Sequence, residues 1–469
     1  MNKFYITTTI YYVNDVPHVG HAYTTLAADI IARYKQLLSG KENVFFLTGT
    51  DEHGANIAQA AEKHGKKPKE FADEVSQRFA DAWKSLNINY DFFIRTTDPR
   101  HEKIAQQVLQ RIYDNGYIYK GVYEGWYCVG CEKFLTETDM VDGKCPLHPT
   151  REAIYQKENN YFFKLKELSK KVLSKIEQHE YTILPQERYN EIVSRLKQGV
   201  EDISISRAGV SWGIPVPWDS NQTIYVWVEA LLNYYTAPHF LPNKSSFWPP
   251  DIQLIGKDIV WFHTVIWQAL LIAADIKDLP KTIFAHGFFT IDGQKMSKSL
   301  GNVISPKQLV DKYGADGTRY LLISAVQFGN DGDLSIMKFT AQYNADLANG
   351  LGNLISRVAK MCEGLTFAPF KSPTIADTPL IEFEKSFQFD VTLKFIFEKI
   401  KACDVLVNEK QVWALKGNEK QTVLQTLVDD IRVIGYCLQP FLPETADKIL
   451  KQFSGSKISV EPSLFPRLK

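Results

Sequence analysis

Phe4-Tyr5-Ile6-Thr7-Thr8-Thr9-Ile10 leads into Pro17-His18-Val19-Gly20-His21, after which Leu26, Ile30, Tyr34 and Leu37 or Leu38 fall at helical spacing before Gly40. A β-branched and aromatic run, a proline and glycine turn and an apolar stripe with a period near 3.6 residues predict strand, tight turn and helix. That order opens a parallel βαβ unit. Gly20 would let a ligand approach the backbone closely. The free N–H groups of the helix start would face anions, with two imidazoles beside them. Histidines three apart also fit metal ligation or helix capping, although no Asp, Glu or Cys stands at ligand spacing.

Outward from this unit, Val44-Phe45-Phe46-Leu47-Thr48-Gly49 has the unbroken apolar character of a strand buried on both faces of a parallel sheet. It delivers Thr50-Asp51-Glu52-His53-Gly54 at its C-terminal end, the edge where open α/β sheets bind ligands. Asp51 is a candidate for holding a substrate ammonium and His53 for hydrogen bonding to it or to a nucleotide. Asp51 also fits a cap on a helix beginning near Asn56. Residues 68–86 carry Phe71, Val75, Phe79 and Trp83 on one face, as an outer-layer helix does. The sheet resumes at Ile224-Tyr225-Val226-Trp227 and at Ile252-Gln253-Leu254-Ile255-Gly256, followed by Lys257-Asp258 and a helix over 260–274. Asp258, at a strand end, fits a ribose or amino group. Trp227, Tyr234 and His263 either line an apolar slot with polar rims or fill an aromatic core.

Lys295-Met296-Ser297-Lys298-Ser299 follows Asp292-Gly293 and is closed by Gly301. Two ammonium groups three residues apart, interleaved with hydroxyls, make a compact anion clamp suited to phosphoryl chemistry; a solvated Lys/Ser turn is the plainer alternative. A third signal lies between the two. Cys128-Val129-Gly130-Cys131 is followed, after thirteen residues, by Cys145-Pro146-Leu147-His148. This spacing supplies four tetrahedral ligands and no open position, which specifies a structural Zn2+.

The chain has 469 residues, 45% hydrophobic and 23% charged, with 54 basic and 54 acidic side chains, so it can bury a large core divided among two to four domains. Zero net charge gives no global steering toward nucleic acid, though a balanced total can hide a basic face. Neither a secretory leader nor an apolar stretch of about eighteen residues is present, and six cysteines, three of them clustered, do not make a disulfide framework. No membrane is expected, and the cytoplasm is the default. Beyond residue 340 the strand signals stop. Residues 344–361, 387–408, 420–438 and 443–453 read as amphipathic helices of a separate helical domain.

His18-Val19-Gly20-His21 and Lys295-Met296-Ser297-Lys298-Ser299 resemble the two signatures of the class I aminoacyl-tRNA synthetases. Essentially the whole chain is similar to the short bacterial or organellar methionyl branch, to which Thr50-Asp51-Glu52-His53-Gly54, the cysteine knuckle and Gly256-Lys257-Asp258 with Trp261-Phe262-His263 also point. The resemblance implies a Rossmann-like parallel-sheet catalytic domain (1–114 and 224–287) with a zinc-knuckle connective insertion (115–223). A linking domain with the lysine loop (288–343) and an α-helical anticodon-binding domain (344–469) follow. It implies activation of L-methionine by Mg2+-bound ATP and transfer to initiator and elongator tRNA(Met). Ile10, Tyr12, Asp51, Trp227, Tyr234 and His263 resemble the methionine pocket. His18, Gly20, His21, Asp258, Lys295 and Lys298 resemble the ATP set, with His18, His21, Lys295 and Lys298 catalytic. Asn353, Arg357 and Trp413 resemble the anticodon readers. Ending at Lys469 without an oligonucleotide-binding domain implies a monomer. A class I synthetase for another amino acid and a catalytically inactive tRNA-binding protein are the alternatives.

Overall fold

The computed structural model describes residues 3–128, 133–135, 140–146, 152–296, 302–381, 383 and 387–469. The opening stretch folds as strand β1 (Phe4–Thr8), a two-residue strand β2 (Tyr11–Tyr12) and helix α1 (Val19–Ser39). Gly40 ends α1 at a φ of 89°, a conformation costly for any residue with a Cβ. Strand β3 (Val44–Asp51) is buried at all eight positions, and it runs parallel to β1, to β2 and to β4 (Phe92–Arg95), as its continuous apolar character demands.

The main sheet has seven strands in the order β2-β3-β1-β6-β7-β5, with β4 pairing β3. Here β5 is Thr182–Leu184, β6 is Ile252–Gly256 and β7 is Thr282–His286. Strand β5 comes from within 115–223, so the stretch expected as an insertion also contributes an edge strand, pairing parallel to β7. The same stretch also holds a long antiparallel ribbon of Ile118–Cys128 with Ile154–Phe163 and the helices Leu165–Glu177 and Gln186–Gln198. A short strand alternates too weakly with its neighbours to be recognised before its partner is known. The predicted outer helix is Pro68–Ser85.

Two compact units emerge, one of Met1–Pro17, Asn43–Asp81 and Tyr90–Ala285, the other of His18–Glu42, Ala82–Asn89 and His286–Lys469. The first holds the sheet and an apolar core that includes Phe45, Leu47, Ile94 and Trp267. Helix α2 (Pro99–Asp114), capped by Asp98, and helices α3 (Val226–Leu231) and α4 (Asn233–Phe240) also belong to it. The second holds α1, helix α5 (Pro306–Ser324) with a Ser305/Gln308 capping box, and α6 (Asn353–Met361), α7 (Phe389–Glu409), α8 (Gly417–Leu438) and α9 (Pro443–Phe453). Among the described residues no strand follows Gly332–Leu334, as the loss of strand signals predicts. No helix among them is long and apolar enough to cross a membrane.

Candidate active site

In the first unit the sheet edge assembles the residues expected to hold methionine. Tyr12 and Asp51 are register partners on β2 and β3, and Ile10, Tyr12, Trp227 and Tyr234 share one apolar cluster. The Tyr234 hydroxyl lies 2.8 Å from His263 Nε2, while His263 Nδ1 lies 3.0 Å from the Ile259 carbonyl. A carbonyl only accepts, so Nδ1 carries the proton, Nε2 accepts, and the Tyr234 hydroxyl donates. Burial pushes His263 down to about 4, so the ring is neutral at physiological pH. Burial raises the Tyr234 hydroxyl above its ordinary value, and the Asp51 carboxylate adds a smaller push the same way. His263 stands in a π-helical turn, Phe262–Ile266, which re-aims side chains relative to a regular helix. Trp227 stacks on Phe262 with ring centroids 4.1 Å apart. Asp258 is exposed in the single turn after β6, next to the Ile259 that tethers His263.

The segment after Asp51 is pinned at successive residues. Val13 N donates to the Asp51 carbonyl at 3.1 Å, and Gly54 N donates to the Trp212 carbonyl at 3.0 Å. Glu52 N donates to Thr96 Oγ1 at 2.9 Å, and Trp212 Nε1 donates to the Glu52 carbonyl at 2.6 Å. Asp51 does not cap the next helix, which starts at Ala55 with Gly54 at its N-cap and no side-chain hydrogen bond there. His53 Nδ1 is 2.9 Å from Glu229 Oε1, and His101 Nε2 is 3.1 Å from Glu229 Oε2. Burial pulls the His53 imidazole down, but Glu229, with Glu102 and Glu52 behind it, outweighs this and holds it above its usual value. Burial likewise pushes the Glu229 carboxyl up, and the two imidazoles outweigh that and hold it below the usual range.

In the second unit, α1 begins differently from the expectation of free N–H groups. His18 is the N-cap, and its Nδ1 accepts from Gly20 N at 3.1 Å, while His21 Nδ1 accepts from His18 N at 3.3 Å. Val19 N donates to the Ile304 carbonyl at 3.0 Å. The helix start is therefore capped by the imidazoles themselves, whose rings stack 3.7 Å apart. Loss of hydration, reinforced by His18, holds His21 well below its ordinary value, so it is a neutral hydrogen-bonding group. A Cβ on Gly20 would stand 2.9 Å from the His18 ring and 3.3 Å from Met296 Cε. The turn feeding the lysine loop is a two-residue hairpin between Phe289–Ile291 and Gln294–Lys295, with Asp292 and Gly293 both at positive φ. Lys298 lies outside the described residues, and only the backbone of Lys295 is within them.

Cys128 and Cys145 are buried together in a small cluster with Leu135 and Ala153, whereas Cys131 and His148 lie outside the described residues. Among the described residues no group of three or more His, Cys, Asp or Glu side chains could hold a metal ion. On the helical domain, Asn353 and Arg357 sit one turn apart on α6, with Asn353 exposed. Arg357 NH1 meets Asp404 Oδ1 at 2.8 Å, and its NH2 donates to Asn408 Oδ1 at 2.9 Å. Trp413 is 55% exposed, and the neighbouring Val412 is the side chain that anchors this turn in the core.

Sequence pattern alone does not flag a role for Glu229, His101 or Arg207. Their signal is a lone charged or polar side chain among apolar neighbours, and its meaning depends on what it faces. Arg207 is buried with its guanidinium 4.0 Å from the Tyr225 ring centre, lining a small cavity with Gly54 and Trp212.

Comparison with known proteins bears on this arrangement. The chain matches the family described as tRNA synthetases class I (M) over residues 4–153 and 149–359. It is 43% identical to the methionine–tRNA ligase of Caldanaerobacter subterraneus subsp. tengcongensis, over 96% of this chain and 73% of that protein. With the methionine–tRNA ligase of Thermosynechococcus vestitus it shares 39% identity over 99% of this chain and 92% of the relative. The solved structure of Mycobacterium tuberculosis methionyl-tRNA synthetase in complex with methionyl-adenylate is similar at a TM-score of 0.92 and 36% identity, covering 100% of both chains. With the signatures, the fold and these matches in agreement, the chain belongs to the methionyl family of class I tRNA synthetases.

Proposed function

We propose that this protein is a methionine–tRNA ligase, which joins L-methionine to the 3′-terminal adenosine of initiator and elongator tRNA(Met) at the expense of ATP. The observation that carries the reading is the junction of the two signature stretches. Met296 packs 3.3 Å from the Cβ position of Gly20, and Val19 N bonds the Ile304 carbonyl just beyond the loop. In the first step a methionine carboxylate oxygen bonds to the α-phosphorus of Mg-ATP as the bond to pyrophosphate breaks. In the second, a ribose hydroxyl of tRNA attacks the methionyl carbonyl and AMP leaves. No protein nucleophile is required, because positioning and oriented charge supply the catalysis.

Roles follow from chemistry. Asp51 receives the α-ammonium, and Ile10, Tyr12, Trp227, Tyr234 and neutral His263 receive the unbranched thioether, whose soft sulfur suits aromatic contact. His18 and His21 donate hydrogen bonds to the transferring phosphoryl group, Gly20 leaves room for it, Lys295 and Lys298 meet the leaving phosphates, and Asp258 binds the ribose or an amino group. Asn353, Arg357 and Trp413 read the anticodon, and the protein acts as a monomer. The domains are 1–114 with 224–287, 115–223, 288–343 and 344–469. Cys128, Cys131, Cys145 and His148 would hold one Zn2+. The convergence of Cys128 and Cys145 in one buried cluster supports this donor set, and zinc there would stabilise the insertion.

The test is ATP–pyrophosphate exchange with a panel of amino acids on the full chain. Exchange stimulated by methionine above all others is expected. Stimulation by a different amino acid would select another class I specificity, and no stimulation at all would leave only tRNA binding.

A further inference from the structure

Glu229 is fully buried, yet it carries a carboxylate that accepts from two imidazoles on different elements. His53 follows β3 and stands two residues beyond Asp51. His101 belongs to α2, and its other nitrogen, Nδ1, lies 2.8 Å from Thr236 Oγ1 on α4, the helix that carries Tyr234. Glu229 itself is on α3 with Trp227. One carboxylate therefore ties together three elements that present Asp51, Trp227 and Tyr234. An apolar side chain would fill this space without the cost of burying a charge, so what the carboxylate adds is direction: it fixes where both rings point. The backbone of 51–54 is already anchored by Val13, Thr96 and Trp212, which leaves the His53 side chain and its helix partners as the part that Glu229 sets.

We infer that Glu229 is a positioning residue for methionine recognition, clamped between His53 and His101 so that the strand end bearing Asp51 stays in register with the helices bearing Trp227 and Tyr234. This rests on the methionine-activating function proposed above. None of the partners of Glu229 is a residue assigned to ATP, so its loss is felt by methionine rather than by the nucleotide.

The experiment is methionine-dependent ATP–pyrophosphate exchange on the full chain, with KM for methionine, KM for ATP and kcat measured separately and folding checked by thermal melting. Glu229→Gln should raise KM for methionine by about tenfold or more, with KM for ATP and kcat each changed by less than about threefold. Glu229→Asp, which keeps the charge on a shorter stem, should fall between Gln and wild type. Thr236→Val removes the hydrogen bond to His101 and a weaker one at 3.3 Å to the Asn233 carbonyl of its own helix, leaves Glu229 with both imidazoles, and should raise KM for methionine by about threefold with its melting checked alongside. Unchanged KM for methionine in the folded variants, or equal losses toward methionine and ATP, overturns the inference. A wild-type chain inert toward methionine would instead defeat the proposed function, which separates the two failures.

Discussion

Burial lowers each of three imidazoles, and only a facing carboxylate overrules it, so His263 and His286 shift down while His53, held by Glu229, shifts up. His263 and His286 are each pushed down to about 4 by loss of hydration, partly offset by an N–H bond to a carbonyl. The unfolded chain takes up these protons near pH 6.5, so between 6.5 and 4 it binds more protons than the folded chain and acid lowers stability. Their contribution is complete above pH 6.5 and is lost as pH falls toward 4, at most roughly 3 kcal/mol each. His263→Gln should therefore flatten the decline of the denaturation midpoint across this window, and an unaltered slope would show that His263 is not the linked proton. His53 runs the other way: its raised value makes its contribution full below 6.5 and progressively lost above it. Lys298→Ala should lower the rate of adenylate formation by roughly two to four orders of magnitude with little change in methionine affinity. Rapid-quench measurement checks this, and a near-normal rate would remove Lys298 from the chemistry.

Elements of the second unit are joined by a buried guanidinium. Arg319 on α5 meets Asp29 Oδ2 of α1 at 2.7 Å. It also donates to the carbonyls of Phe441 at 2.7 Å, Pro440 at 3.0 Å and Leu86 at 3.2 Å. The same carboxylate accepts from Arg33 Nε at 2.8 Å and from Asn89 N at 2.9 Å, so α1 is tied to α5 and to the turn before α9. Arg319→Met keeps bulk but strands three carbonyls and part of Asp29, and should cost about 3–5 kcal/mol, or a Tm loss of roughly 10 °C. Calorimetry decides this; melting within a couple of degrees of wild type would mean that water or relaxation satisfies those groups. The ribbon Ile118–Cys128 with Ile154–Phe163 makes a different prediction, because among the described residues the apolar cluster beyond it is small. Protein purified without chelator should contain one zinc per chain, and Cys128→Ser should lower thermal stability more than it lowers exchange rate. Elemental analysis finding no zinc would remove the knuckle.

At the scale of the whole molecule, the proposed function separates amino-acid chemistry from tRNA choice, because no residue assigned to adenylation lies within 344–469. Trp413 offers an exposed indole on a turn anchored by buried Val412, which is what an unstacked base needs. Asp404 and Asn408 hold the Arg357 guanidinium, so the helical domain itself sets its orientation. Trp413→Ala should leave methionine-dependent exchange near normal and cut methionylation at subsaturating tRNA by at least about tenfold, as losing a stack of about 1–3 kcal/mol would. Measuring both reactions on one preparation checks this, since equal losses would make the tryptophan structural and intact methionylation would place anticodon reading elsewhere.

Much of this was legible in the chain because it rests on local rules. The strand, turn and helix at residues 4–40, the buried parallel strand ending in Asp51 and the helices beyond 340 follow from periodicity and turn chemistry within windows of a few turns. The two signatures and the cysteine spacing were visible for the same reason. Tertiary structure alone decided which distant residues meet: that Gly20 packs on Met296, that Thr182–Leu184 closes an edge of the main sheet, and that Glu229 lies between His53 and His101. Each joins groups by the path of the folded chain, and a lone glutamate or a three-residue strand has no periodicity to announce its partner. Burial then sets the charge states, because the cost of removing an ionised group from water exists only once the surrounding protein is in place.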